Sequence, residues 1–344
     1  MSTSSMTIQR DVGVEPVKDV TCQYQSTIDA LRAALNHALI GKDDIIEMVL
    51  ACLLARGHLL FDDLPGLGKT TLAKAVAHAV GGQFARVQCT PDLLPTDITG
   101  FTMFDQKARE FEFHRGPVFS DVLLADKINR ATPRTQSALF EAMAERQVTI
   151  DGQSYPLNKT FLVIATQNPV ESHGAYPLPE AQLDRFMFKI NLDSVSQGEL
   201  TEILHRTTSL DNSETVEVVN GTDIVAIQRL LKHLVIAPQV QDYVIRLVLA
   251  THATSEHAPP WVQEKIQIGA SPRAAQSIVS SAKVVAAIDG RFAVSKRDIY
   301  AVGVAALQHR ITRTFESQTA QIDSCELIER LFHDVPSYEG DWDE

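Results

Sequence analysis

Three things are scarce in this sequence. It holds only four cysteines, Cys22, Cys52, Cys89 and Cys325, and no two stand at the close spacing of a zinc knuckle or a dithiol redox motif. Free thiols in a reducing compartment are what such spacing leaves. Long apolar runs are missing as well. Nothing approaches the roughly 20 consecutive apolar residues that span a bilayer, and the polar start "MSTSSMTIQRDVG" lacks the apolar stretch of a secretory signal. Both absences argue against stable membrane insertion, and a soluble, cytoplasmic chain is the expectation. Basic residues are the third shortage. Against 43 Asp and Glu stand 31 Lys and Arg, a formal net charge of −12. A general nucleic-acid or anionic-membrane binder needs a basic face, so no nucleic acid is expected as partner, although a local basic patch stays open. The eleven histidines show no metal-ligand spacing.

What is present is a well-patterned chain of 344 residues, 44% hydrophobic and 22% charged, enough for roughly two domains with buried cores. Residues 1–20 are polar and aperiodic and read as a flexible tail. "STIDALRAALNHALIG" sets Ile28, Leu31, Leu35 and Leu39 on one helical face, with Gly41 to close it, and "DDIIEMVLACLLAR" is a second helix. Strand and helix patterns then alternate through "HLLF", "KTTLAKAVAHAVGG", "FARVQC", "DVLLAD", "RTQSALFEAMAER", "TFLVIATQNP" and "FMFKINL". Buried apolar strands alternating with helices predict an α/β domain over 21–195, a parallel sheet flanked by helices. "FDQKAREFEFHRG" and "QVTIDGQSYPL" read as hairpins, the second on its Asp151-Gly152 turn. Past about Asp193 the strands stop, and five helical segments predict a small all-helical domain over 196–315. An acidic helix and tail fill 316–344, with Asp323 and Glu326 spaced for a capping box. Trp261, after Pro259-Pro260, reads as a loop anchor.

The strand–turn–helix order of "LLFDDLPGLGKTTLAKAVA" has the make-up of a phosphate-cradling loop. Across Pro65, Gly66, Leu67 and Gly68, the glycines let backbone N–H groups wrap phosphate oxygens at a helix N-terminus. Lys69 reaches the β- and γ-phosphates, the Thr70 hydroxyl ligates magnesium, and Thr71 follows in the first helical turn. ATP and Mg2+ are the implied cofactors. The bland alternative is a glycine turn that only joins strand to helix. One position departs from the pattern G-x-x-x-x-G-K-[ST]. Where it wants glycine, Asp63 brings a carboxylate toward the phosphates and stiffens the backbone. A second apolar strand, "VLLAD", ends on Asp126, placed to hold magnesium through water or Thr70. In ATPases of this layout the next residue is an acid that polarises the attacking water. Here it is Lys127, a cation without an acceptor lone pair at neutral pH. Either Lys127 is a surface lysine with the acid elsewhere, or the acid is gone.

Four blocks, "RVQCTPDLLPTDITG", "FHRGPVFSDVLLADKINRATPRTQSALFEAMAERQVTIDG", "ATQNPVESHGAYPLPEAQLDRF" and "GASPRA", fall in an order that resembles the MoxR family of AAA+ ATPases. The resemblance runs from about residue 20 to about residue 335. It implies an AAA+ P-loop sheet followed by a helical lid. By the same resemblance Asn168 is sensor 1, which orients the attacking water or touches the γ-phosphate. Arg185 is an arginine finger reaching a neighbouring subunit's nucleotide, an effect worth orders of magnitude in rate. Arg273 is sensor 2, linking the lid to bound nucleotide, and Ile40 and Gly41 line the adenine pocket. The hairpin around Phe101 to Phe113 corresponds to the family's helix-2 insert. Plain alternatives are a turn asparagine for Asn168, a salt-bridged arginine for Arg185 and a helix-start arginine for Arg273.

A homo-oligomeric, hexameric ring is also implied, with a separate client, often a von Willebrand A domain protein, and in some cases metal cofactor insertion. Three functions then compete. One is a hydrolysing, chaperone-like ring that remodels or activates partners. Another is a nucleotide-binding, hydrolysis-deficient assembly or scaffold subunit, favoured by Asp63 and Lys127 together, because losing a general acid–base group costs about 10²–10⁴ in rate. A DNA-remodelling ring is opposed by the acidic charge balance.

Overall fold

The structure, a computed structural model, describes residues 15–62, 68–168, 175–192, 196–208 and 218–336. Its first half runs α1 (Glu15–Ala38), α2 (Asp43–Leu54), β1 (Leu59–Asp62), α3 (Lys69–Ala79), β2 (Phe84–Gln88) and α4 (Pro95–Thr99). There follow a hairpin of β3 (Gly100–Asp105) and β4 (Glu110–Arg115), then β5 (Val122–Asp126) and α5 (Pro133–Glu145). A second hairpin of β6 (Gln147–Ile150) and β7 (Gln153–Pro156) leads to β8 (Leu162–Gln167), α6 (Glu180–Leu183) and β9 (Phe188–Ile190). Five strands form one sheet in the order β2-β5-β8-β1-β9, every pair parallel. Helices cover both faces, which is why the central strands are apolar at consecutive positions. Leu59 and Phe61 enter one core cluster and Leu60 the other.

The strand order reverses between β1 and β8, since the chain leaves β1 toward β2 and leaves β8 toward β9. A crevice at the carboxyl ends of those strands is where ligands of open α/β sheets bind. Register puts Asp62 beside Gln167 and Gln88 beside Asp126 on that edge.

The second half holds α7 (Gln197–Thr208), α8 (Gly221–Leu231), β10 (Val235–Ile236), α9 (Pro238–Ala250), α10 (Val262–Lys265) and β11 (Ile266–Ile268). After these come α11 (Pro272–Ile288), β12 (Ala293–Val294), α12 (Lys296–Leu307), β13 (Thr312–Arg313), α13 (Phe315–Thr319) and α14 (Ser324–Asp334). Its helices share a core with α1, α2 and α3, so the lid is packed onto one face of the sheet. Among the described residues no helix is long and apolar enough to cross a membrane.

Several expectations change. Helix α1 starts at Glu15, so residues 15–20 of the expected tail are helical. Strands do not stop at Asp193. Two short pairs, β10–β12 and β11–β13, tie lid loops together, and two- or three-residue strands are too short to leave a periodic signal. Asp323 stands at the N-cap of α14 without a side-chain cap bond; it instead interacts with the Cys325 thiol, whose pKa it helps raise. The Asp151-Gly152 turn has positive φ at both residues, 50° and 79°, as a two-residue hairpin turn requires. Trp261 is an anchor: its Nε1–H donates to Asp334 Oδ2 at 2.7 Å, and the Arg330 guanidinium lies 4.6 Å from its ring.

Candidate functional site

The carboxyl edge of the sheet gathers the first group of expected site residues. Asp63, Pro65, Gly66 and Leu67 lie outside the described residues. From Gly68 the loop is described: Gly68 is left-handed at φ 83° and caps α3, with Lys69, Thr70 and Thr71 in the first helical turn. A Cβ at Gly68 would stand 3.0 Å from Leu39 Cδ1, which brings the end of α1, and Ile40 after it, against the loop. Gly41 is also left-handed at φ 68°, and a Cβ there would collide with the Glu199 carboxylate of α7. Lys42 pairs with the same carboxylate at 3.3 Å. The Glu199 pKa is lowered first by the Ser196 backbone N–H and hydroxyl and then by Lys42. Ile40 and Gly41 therefore sit between the loop and the start of the lid.

At the tip of β5, the Thr166 hydroxyl donates to Asp126 Oδ1 at 2.8 Å and accepts from the Lys127 backbone N–H at 2.8 Å. That relay holds Lys127 in the left-handed region at φ 58° and ψ 53°. Arg86 on β2 reaches Asp126 Oδ2 at 2.6 Å and Gln88 Oε1 at 2.9 Å. Burial, with the Asp126 charge adding to it, pushes the neighbouring Cys89 thiol up to about 12, so it stays neutral. Asn168 follows β8 and is buried, its carbonyl facing the Asn129 side-chain amide at 3.4 Å. Beside them, Asp62 at the end of β1 pairs with Lys189 of β9.

Arg185 and Arg273 are not on this edge. They line a cleft of about 300 Å3 that also takes in Arg56, Gly57 and His58, the residues leading into β1. The cleft therefore opens at the amino ends of the strands, across the sheet from Lys69 and Asp126. Arg185 donates to the Phe140 carbonyl at 3.0 Å. Arg273, half exposed, is 3.6 Å from Asp184 Oδ2. It stands at the start of α11, whose N-cap Ser271 donates to both Asp184 oxygens.

Arg310 is the hub of this joint. It donates to Asp184 Oδ1 at 2.9 Å, Ser277 Oγ at 3.0 Å, Phe186 O at 2.6 Å and Met187 O at 3.1 Å. Burial lowers its pKa, and Asp184 opposes that. Arg146 donates to the carbonyls of Arg56 and Phe161, and burial beside Arg56 lowers it to about 10.

The two edges are matched by known proteins along most of the chain. Residues 58–188 match the ATPase family associated with various cellular activities, and residues 260–330 match the AAA lid domain. Chaperone MoxR1 of Mycobacterium tuberculosis is 38% identical over 90% of this chain and 82% of its own length. The chain belongs to the MoxR family of AAA+ ATPases. Protein MoxR of Methylorubrum extorquens is 30% identical over 88% of this chain and 93% of its own. The crystal structure of a candidate ATPase from Cytophaga hutchinsonii superposes with a TM-score of 0.88 at 35% identity, covering 94% of this chain and 98% of that one.

For a MoxR chain, three residues of the site carry no signal in the sequence. Arg86 takes up the Asp126 carboxylate, yet nothing in "FARVQC" marks it. Arg310 sits in "LQHRIT", outside any motif, and Arg56 precedes the strand without a pattern. Only Asp184, adjacent to Arg185 in "LDRF", could have been found by proximity.

Proposed function

We propose that this chain is a chaperone-like ring subunit that binds ATP and Mg2+ where two copies meet, with its own hydrolysis suppressed. The observation that carries the reading is Lys127 at the tip of β5, fixed by the Thr166 relay where a water-activating acid would stand. Lysine donates and cannot accept a proton.

The donor set suits magnesium. Thr70 offers a hydroxyl oxygen and Asp126 a carboxylate, hard ligands of the kind Mg2+ takes alongside substrate phosphates and water. Asp126 already accepts from Thr166 and Arg86, and each carboxylate oxygen keeps a further lone pair. Bound there, the ion would neutralise phosphate charge. Lys69 and the α3 N-terminus would orient the phosphates, and Asn168 would orient the terminal group. Arg185 and Arg273 line the edge of the sheet opposite Lys69 and Asp126, so we assign them to the nucleotide of the adjoining copy in a hexameric ring.

The β3–β4 hairpin leaves Phe101, Met103, Phe104 and Phe111 exposed, an apolar surface for a client protein. A von Willebrand A domain protein is the client class we favour, in the cytoplasm. A scaffold subunit with no turnover at all is the limit of the same reading.

The test pairs ATP turnover with nucleotide affinity for this chain and for Lys127→Glu. Turnover should rise by about 10²–10⁴ in the variant, with affinity little changed. Equal turnover sinks the suppressed-hydrolysis reading. If neither protein binds nucleotide, Asp63 is the dominant defect.

A further inference from the structure

Five arginines and one acid, Asp184, line the cleft at the amino edge. Arg310, Arg146 and Arg185 spend donors on carbonyls, and Asp184 serves Arg310 and Arg273. Arg56 stands apart: it is exposed, it lines the cleft, and among the described residues no carboxylate pairs with it.

Its backbone is unusual too. The Arg56 N–H bonds to Leu53 O and the Gly57 N–H to Cys52 O, the closing pattern of a helix whose next residue turns left-handed. Arg56 fills that left-handed slot at φ 61°, where glycine avoids the steric cost. Arg146 is likewise left-handed at the end of α5, at φ 51°, where its N–H bonds to Ala142 O, and its guanidinium clamps the Arg56 carbonyl. Strain of this kind, kept at two adjoining helix ends and both times by arginine, points to a use for the side chains.

Position suggests which use. A Cβ on Gly57 would come within 2.6 Å of Met187 Cβ, and the Met187 N–H donates to His58 O. The Arg56 turn is thereby seated against the segment that carries Arg185. So many cations around one carboxylate leave a cleft that favours a multiply charged anion.

We infer that Arg56 is a third arginine of this cleft to contact the terminal phosphate of a nucleotide held by the P-loop of an adjoining copy, with Arg146 as its positioning residue. The inference rests on the ring reading above.

Arg56→Gly tests it, because glycine suits the left-handed slot and removes only the side chain. Affinities for ATP and ADP are measured on the assembled full chain with Mg2+. Loss of one charge-assisted contact should weaken ATP binding about tenfold and leave ADP binding within about twofold. Admixed Lys69→Ala chains, which lack the loop lysine but keep the cleft, should restore ATP affinity to Arg56→Gly loops. Arg185→Ala mixed the same way is the reference. Unchanged ATP affinity, or an equal loss for ATP and ADP, overturns the assignment. If mixing rescues Arg185→Ala but not Arg56→Gly, Arg56 works only within its own chain and the inference falls while the ring reading stands. If mixing rescues neither, the ring reading falls and takes the Arg56 assignment with it.

Discussion

The two edges of one sheet differ in charge and in completeness. At the carboxyl edge, the carboxylates Asp62 and Asp126 meet cations from flanking strands, Lys189 and Arg86, and on the proposed reading Lys127 takes the place of a water-activating acid. At the amino edge, five arginines line one cleft with Asp184, and two of them, Arg310 and Arg273, pair with it. A site divided between copies can lose one half and keep the other. On the ring reading, a chain unable to activate water can still lend its arginines to a neighbour. The amino edge is also the joint between sheet and lid, through Arg310, so its arginines have a structural as well as an electrostatic reason to be there.

Breaking the amino edge should give the largest effect. In a Lys127→Glu background, Arg185→Ala is expected to lower ATP turnover by about 10³ or more, as loss of an arginine finger does. A coupled ATPase assay reads this directly, and a change of less than about threefold would remove Arg185 from the reaction. Arg310→Ala separates structure from chemistry on the same edge. The Arg310 side chain is 1% exposed and bonded to Asp184, so removing it leaves that carboxylate only Ser271 and Arg273 and takes a donor from the buried Phe186 and Met187 carbonyls. Denaturant titration should show a loss of about 3–5 kcal/mol. A loss below about 1 kcal/mol would mean the joint does not depend on it.

Acid should act more gently and again at the amino edge. Burial, with the Arg146 charge next, lowers His58 from 6.5 to about 3. Its Nδ1 accepts from the Val163 N–H at 3.0 Å and its Nε2 faces Met143 O at 3.3 Å, a neutral imidazole. Burial followed by the Arg310 charge lowers His309 well below 6.5. As pH falls through 6.5 the unfolded chain takes up these protons and the folded chain does not. Stability should therefore be level from pH 8 to 7 and fall below 6.5 toward 3, by about 2 kcal/mol per histidine at pH 5. Thermal midpoints across that range check it. A flat profile down to pH 5 would show that these imidazoles can charge in place.

Much of the carboxyl edge could be read from residue order. Alternating strands and helices placed Gly68 and Lys69 at a helix start and Asp126 and Asn168 at strand ends, and a parallel sheet returns each strand tip to the same side. Five segments of helical periodicity marked the mostly helical second half. Apart from Arg185 and Arg273, which the family resemblance picked out, the amino edge was opaque for the opposite reason. Its cations come from positions 56, 146, 185, 273 and 310, far apart in the chain, and a net charge of −12 hides a cleft that only folding assembles. The β10–β12 and β11–β13 pairs were equally hidden, since they depend on loops meeting across the lid. Arg86 was missed because a single arginine in a strand has no spacing to betray its partner on the next one.

The most direct test is steady-state turnover of this chain beside Lys127→Glu, at saturating ATP and Mg2+. If the absent acid limits hydrolysis, the variant should be faster by about 10²–10⁴. Equal rates in the two proteins would contradict that claim.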